Sequence, residues 1–211
     1  MARLRSPRGC PWDREQDHQS LRWHAVEEVY ELLDAIEMKD DHELAEELGD
    51  LLLQVVFHCQ LGQERRAFNF ERVARLITDK LIRRHPHVFG DVRVEDVDQV
   101  WANWEKIKLA EKHGTRHARP SALDGIPRHL PALLRVEKLA KKARRAKLLR
   151  PRPAGRKISR ARLAASLLDL SLYAQKQGWS AEDLLRSEAQ KFERKLRRLE
   201  RARAPRLRPR K

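Results

Sequence analysis

The sequence predicts an all-α protein: a helical bundle followed by a second, basic helical repeat. Three observations lead there. Apolar residues recur at helical spacing in one segment after another, and no segment reads as a credible strand. Eight Gly, ten Pro and two Tyr argue against a sandwich or barrel of many short strands. The 211 residues, 41% hydrophobic and 36% charged, can bury one compact core and carry a substantial appendage, yet form an unusually polar chain.

The first helix is expected from Ser20, a plausible N-cap, through Leu21, Ala25, Val26, Val29, Leu32, Leu33 and Ile36. Asp40-Asp41 interrupts it, and a second helix follows from about His42 to Leu61, stopped by Gly62. A third runs from about Phe70 to Arg84, before Pro86. His85 to Asp91 reads as a loop, and Val97 to Glu111 as a fourth helix bearing Trp101 and Trp104. Gly114 to Pro131 has the Gly, Ser and Pro content of a linker. A basic helix over about 133–149, a Pro/Arg/Gly break at Arg150–Arg156 and helices over about 159–177 and 180–203 complete the chain. This gives domains at 1–113 and 132–203, a linker at 114–131 and a disordered basic tail at 204–211.

The net charge of +15 divides unevenly. Residues 1–130 hold 20 Lys/Arg and 24 Asp/Glu, a net of −4, while residues 131–211 hold 26 and 7, a net of +19. Two cysteines, Cys10 and Cys59, exclude a disulfide scaffold and suit a reducing compartment. Charges fill the N-terminus where a signal peptide needs an apolar stretch, and the longest apolar run, Leu51 to Phe57, is broken by Gln54. The expectation is a soluble cytoplasmic protein with no membrane contact.

The informative chemistry lies on the first two helices. Glu27-Glu28-Val29-Tyr30-Glu31 reads E-E-x-x-E, and Glu47-Leu48-Gly49-Asp50 reads E-x-x-D. At roughly 100° per residue, Glu28 and Glu47 each border an apolar stripe, with Glu31 and Asp50 one step towards the polar side. Helices joined by a short turn pack antiparallel, so the four carboxylates converge at the edge of one core. Four anions there repel one another and are expensive to desolvate. A hard divalent cation with oxygen ligands removes that cost: Mg²⁺, with Mn²⁺ as the alternative. The plainer reading is a pair of solvated Glu-rich faces, and the mirrored placement on adjacent helices weighs against it.

Lys80, Arg83 and Arg84 share one face of the third helix, suited to a polyphosphate or equally to a solvated helix end. The second helix is apolar almost all round after Gly49, with Leu53, Val56 and Phe57 opposite the Leu48 stripe. Such a helix needs partners on all sides, so a homodimer or higher oligomer is expected.

A family resemblance rests on residues quoted as they stand. They are Cys10-Pro-Trp-Asp-Arg-Glu-Gln, Glu27-Glu28-x-x-Glu31, Glu46 to His58, Asp79 to Asp91, Ala102-Asn-Trp-Glu105 and Ser121 to Pro127. Together they resemble the MazG nucleoside triphosphate pyrophosphohydrolases, almost continuously from about Leu4 to Leu139. The resemblance implies an all-α NTP pyrophosphatase fold and Mg²⁺-dependent cleavage of NTPs to NMP and pyrophosphate. It implies metal ligands at Glu28, Glu31, Glu47 and Asp50, with Glu27 assisting catalysis. It also implies phosphate contacts from Lys80, Arg83 and Arg84 and base stacking on Trp104. Asp17 departs from the Thr usual in the family before His18.

Trp179 to Lys195 aligns without gaps to Phe68 to Arg84, so the second half is an internal repeat. Its catalytic helices are worn. Arg162 and Ala165 stand where E-x-x-D is expected, and the E-x-x-E helix is missing across Arg150–Ser159. No metal site is expected there, although Leu163, Leu167, Leu170 and Tyr173 keep helical spacing. The rival reading is a nucleic-acid- or ribosome-associated protein recruited by the +19 half, whose charge would bind phosphate backbones weakly and without sequence preference.

Overall fold

The computed structural model describes residues 1–111, 114–115, 118, 120–149 and 158–203, and among them every regular element is helical. The expected break at 150–156 and the tail at 204–211 lie outside the described residues. The chain divides into two compact units, Met1–Lys108 and Leu109–Lys211. No helix among the described residues is long and apolar enough to cross a membrane.

The first unit opens with α1 (Pro11–Glu15) and a 3₁₀ turn at Ser20–Arg22, followed by α2 (His24–Met38) and α3 (Asp41–Glu64). It continues through α4 (Phe70–Arg84), α5 (Pro86–Phe89) and α6 (Val97–Ala110). Ser20 does not cap α2 as expected; the 3₁₀ turn comes first. Asp17 braces the entry to that turn: its Oδ1 accepts the N–H groups of Gln19 and Ser20 at 2.7 and 2.8 Å. Those two bonds hold the Asp17 carboxyl below its ordinary value, which gives the residue that departs from the family pattern a local role.

Lys39 takes the left-handed conformation after α2, and the Asp40 carboxylate accepts from the N–H groups of His42 and Glu43. This two-residue connection folds α2 back along α3, the most extensively packed helix pair in the unit. Gly62 does not stop α3, which continues to Glu64. A Cβ at Gly62 would lie 2.7 Å from the Phe68 ring, so close packing, and not termination, calls for glycine there. His85 to Asp91 is not wholly a loop: Pro86 starts the short helix α5.

The core of this unit gathers Leu21, Phe57 and Leu61, with Met1 against them. Phe57 is therefore not part of an open apolar face as expected. The N-terminal segment covers it, with the Arg5 guanidinium 5.6 Å from its ring centroid and Trp12 edge-on to it. Arg5 is in turn held by both Glu64 carboxylate oxygens at 2.8 Å. Leu48, Leu52, Leu53 and Val55 on α3 remain exposed.

The second unit holds α7 (Ala132–Arg145), α8 (Arg160–Lys176) and α9 (Ala181–Arg203). Glu182 at the start of α9 accepts the N–H of Ala132 at the start of α7, and Arg203 near the end of α9 donates to the Lys147 carbonyl. The two helices therefore run parallel. Leu123, Ala143, Leu148 and Leu196 form the core between them. Leu123 lies in the stretch read as linker, yet is 1% exposed. Glu200 fixes the segment by accepting from the Ser121 hydroxyl and the Ala122 N–H. α7 stops at Arg145 because Lys147 is left-handed and the Leu148 N–H turns back to the Ala143 carbonyl, placing Leu148 in the core.

Candidate metal centre

The α2–α3 hairpin brings Glu28, Glu47 and Asp50 together, each offering a carboxylate oxygen within 4.8 Å of the others. Helical periodicity sets this: Glu47 and Asp50 lie at i and i+3 on one face, and Glu28 faces them from α2. Glu31 sits beside the trio. Desolvation and the nearby Glu28 and Glu27 charges push its carboxyl above the ordinary value. Glu47 is raised in the same way, by desolvation first and then by Glu31, Asp50 and Glu28. Glu47 Oε2 is shielded from water and has no hydrogen-bond partner.

An oxygen that is buried, anionic and unpartnered among other carboxylates fits a divalent cation with oxygen ligands. A simple solvated face would leave each oxygen to water. A second acidic group, His42, Glu43 and Glu46, lies fully exposed on the first turns of α3 and has no such orphan oxygen among the described residues.

Glu27 lies outside the trio, exposed, with one oxygen 3.6 Å from His24 Nδ1. The remaining expected site residues form a separate group on α4 and α6. The Arg84 guanidinium lies 5.6 Å from the Trp104 ring centroid, and Lys108 Nζ lies 5.9 Å from it. Lys108 is tied to Glu105 at 2.7 Å, and Trp101 meets Trp104 edge-on at 5.3 Å between centroids. Lys80 and Arg84 are half-buried on α4, and Arg83 is exposed.

Sequence reasoning missed Gln54. It is buried on α3 and donates from Nε2 to Glu28 Oε1 at 3.1 Å, fixing the one trio member that comes from α2. Its signal was present as the single polar residue in the run Leu51 to Phe57, one turn beyond Asp50. One turn further, His58 meets His18 through their Nδ1 atoms at 2.8 Å, and Arg65 donates to His18 Nε2. Arg65 thereby leaves the His18 proton on Nδ1, from which it is donated to His58. Burial and the neighbouring His18 hold His58 below its ordinary value.

The description "MazG nucleotide pyrophosphohydrolase domain" belongs to the family whose sequence profile matches residues 16–89. A nucleoside triphosphate pyrophosphohydrolase of Escherichia coli is 50% identical over 143 residues, covering 67% of this chain and 54% of that protein. A Thermotoga maritima protein named nucleoside triphosphate pyrophosphohydrolase/pyrophosphatase MazG is 46% identical, covering 68% and 53%. An uncharacterized 26.1 kDa protein of Streptomyces cacaoi is 42% identical over 183 residues, covering 85% of this chain and 72% of that one. A solved MazG-related protein from Thermotoga maritima aligns with a TM-score of 0.43 at 24% identity, over 51% of this chain and 98% of that one. The chain spans about half the length of the two named pyrophosphohydrolases.

Proposed function

Because the chain belongs to the MazG nucleotide pyrophosphohydrolase family, we propose that it is a cytoplasmic enzyme that hydrolyses nucleoside triphosphates to nucleoside monophosphate and pyrophosphate. The observation that carries this reading is the crowding of Glu28, Glu47 and Asp50 around the unpartnered Oε2 of Glu47. Glu28, Glu31, Glu47 and Asp50 would hold Mg²⁺, or Mn²⁺ in its place. When bound, the ion neutralises charge on the triphosphate and on the leaving pyrophosphate.

The residues of the chain do the rest. Lys80, Arg83 and Arg84 grip phosphate oxygens, with Arg84 braced against Trp104. A water attacks the α-phosphorus; its oxygen bonds there as the bond to the bridging oxygen of the β-phosphate breaks. Glu27, exposed and not committed to the trio, accepts the proton of that water. Gln54 keeps Glu28 turned towards α3 throughout. The apolar α3 residues Leu48, Leu52 and Leu53, left exposed in one chain, support assembly as a homodimer or higher oligomer.

Product analysis across a panel of NTPs and dNTPs, with and without Mg²⁺, tests the reading. Pyrophosphate and the matching monophosphate should appear in equal amounts only with the ion present. Release of orthophosphate, or ion-independent turnover, would replace it.

The basic half supports a second reading. Lys138, Lys141, Arg144 and Arg145 on α7 and Arg194, Lys195 and Arg198 on α9 are exposed, with no ion pair among the described residues. Weak, non-specific nucleic-acid binding by these faces would fall steeply as salt rises. Fluorescence anisotropy of labelled RNA and DNA across a salt series tests it, and a flat response would exclude it.

A further inference from the structure

Among the described residues of the first unit, two buried side-chain oxygens have no hydrogen-bond partner, and both belong to the carboxylate cluster or its immediate neighbour. One is Glu47 Oε2; the other is Gln54 Oε1. Gln54 is 7% exposed and is the one polar residue in the run Leu51 to Phe57. Helix α3 therefore carries an amide where an aliphatic side chain would continue the pattern, and leaves half of that amide unused. A buried polar atom without a partner is costly, so it calls for an explanation.

The orientation of the amide follows from its neighbour. Gln54 Nε2 lies 3.1 Å from Glu28 Oε1, and a carboxylate only accepts, so the nitrogen faces Glu28 and the carbonyl oxygen is the atom left over. The surrounding carboxylates of Glu28, Glu47 and Asp50 offer that oxygen more acceptors and no donor. One turn further along α3, His58 is bonded to His18 and does not donate to it. Its donor has to come from outside the protein. A hard divalent ion brings one: Mg²⁺ keeps several waters when carboxylates hold it, and the ion polarises their O–H groups into strong donors.

We propose that Gln54 is a positioning residue of the ion centre: its carbonyl oxygen accepts a hydrogen bond from a water in the shell of the bound ion, while its amide nitrogen holds Glu28. The inference rests on the reading of Glu28, Glu31, Glu47 and Asp50 as ion ligands. The residue type suits the task. A carboxylate at this position would add negative charge beside Glu28 and repel it, and an aliphatic side chain would offer neither bond. Glutamine supplies a donor to the ligand and an acceptor to the water without any charge of its own. The ion is thus gripped through its water as well as directly, and both grips are fixed from α3.

The full-length protein, carrying isotope-labelled glutamine, tests this on titration with Mg²⁺ alone. With Gln54 assigned through its own backbone, its side-chain carbonyl carbon should move downfield in the nuclear magnetic resonance spectrum as the ion binds. The same carbon of Gln60, which bonds Glu64 further along α3, should stay in place. Gln54→Met, of equal length and apolar, should weaken Mg²⁺ binding by about ten- to a hundredfold in isothermal titration calorimetry. Gln60→Met should bind Mg²⁺ like the unmodified chain, and circular dichroism of both ion-free variants should match it. No Mg²⁺ binding by the unmodified chain would overturn this inference and the ion-ligand reading together. Normal binding with an unmoved Gln54 carbonyl would overturn the inference alone, because an ordinary buried water would then be its partner. Undiminished affinity in a folded Gln54→Met variant would do the same.

Discussion

The two units handle charge in opposite ways. In the first, Glu28, Glu31, Glu47 and Asp50 crowd together with no cation among them, and two are pushed towards protonation. In the second, buried charge is matched. Arg135 meets Glu193 at 2.5 Å, its charge paired although its Nε has no hydrogen-bond partner, and Arg197 spans Glu193 and Asp124 at 2.7 Å each. Although burial opposes it, Arg197 holds the Asp124 carboxyl below its ordinary value. Matched charges settle a fold and ask for nothing further. Unmatched ones persist only where something from outside completes them. The difference sets the candidate site apart from a scaffold without reference to any ligand.

Removing one charge from each unit should therefore give opposite results. Glu47→Gln should lower kcat at least about a hundredfold, since it removes a ligand from the centre. The metal-free protein should hold or gain thermal stability, because a repulsion goes with it. Full activity in that variant would break the comparison at its main point. Glu193→Ala should do the reverse, leaving kcat of the folded protein near normal and destabilising the second unit by about 3 kcal/mol, as expected when a buried pair loses one partner. Urea unfolding followed by tryptophan fluorescence reads that loss, with Trp179 reporting on the second unit.

The pH dependence sharpens the contrast. A carboxyl whose folded value is raised binds its proton more tightly when folded, so stability is lost as pH rises from its ordinary value of 4.5 through the raised one. Asp124 has the opposite sign. Its lowered value contributes stability above the ordinary 3.8, and that contribution disappears as pH falls through the folded value. Without metal, the first unit should melt progressively lower as pH climbs above the carboxylate range, and added Mg²⁺ should restore it. The second unit should show neither effect. Thermal scans with and without Mg²⁺ at mildly acidic and neutral pH would show this, and an Mg²⁺ shift no larger at neutral pH would contradict it.

The smallest effect compares like with like. Asn69→Ala and Ser180→Ala remove equivalent caps, each stabilising its helix by about 1 kcal/mol. If the units unfold independently, each variant should move only its own transition. A shared shift would mean that they melt as one.

The carboxylate centre was legible because its residues share helices with a fixed period, and a short turn dictates antiparallel packing. What escaped depends on contacts that periodicity does not carry. Phe57 is covered by Leu21, Met1 and Arg5, from an N-terminal segment with almost no repeating pattern. Gly62 could signal a stop or a close approach, and only the position of Phe68 decides between them. The pairing of Trp104 with Lys108 is an i, i+4 neighbour relation and readable; its contact with Arg84 from α4 is not. Leu123 sits among Pro and Gly residues that punctuate a linker, yet one leucine with a core to enter is enough to anchor the segment.

The connection at Lys39 and Asp40 bears on the order of events during folding. All the candidate ligands lie between Glu28 and Asp50 on a single helical hairpin closed by two residues. Closing so short a loop takes little chain entropy, and contacts of low sequence separation form early. The centre is thus expected to assemble in the part of the chain able to find its shape first, before α4 or α6 docks. A divalent ion present at that stage would bind a hairpin, not a completed unit, and by screening its carboxylates would favour the nucleus on which the rest of the unit condenses. Refolding of the first unit should accordingly quicken with Mg²⁺, a kinetic signature of where the site lies along the chain.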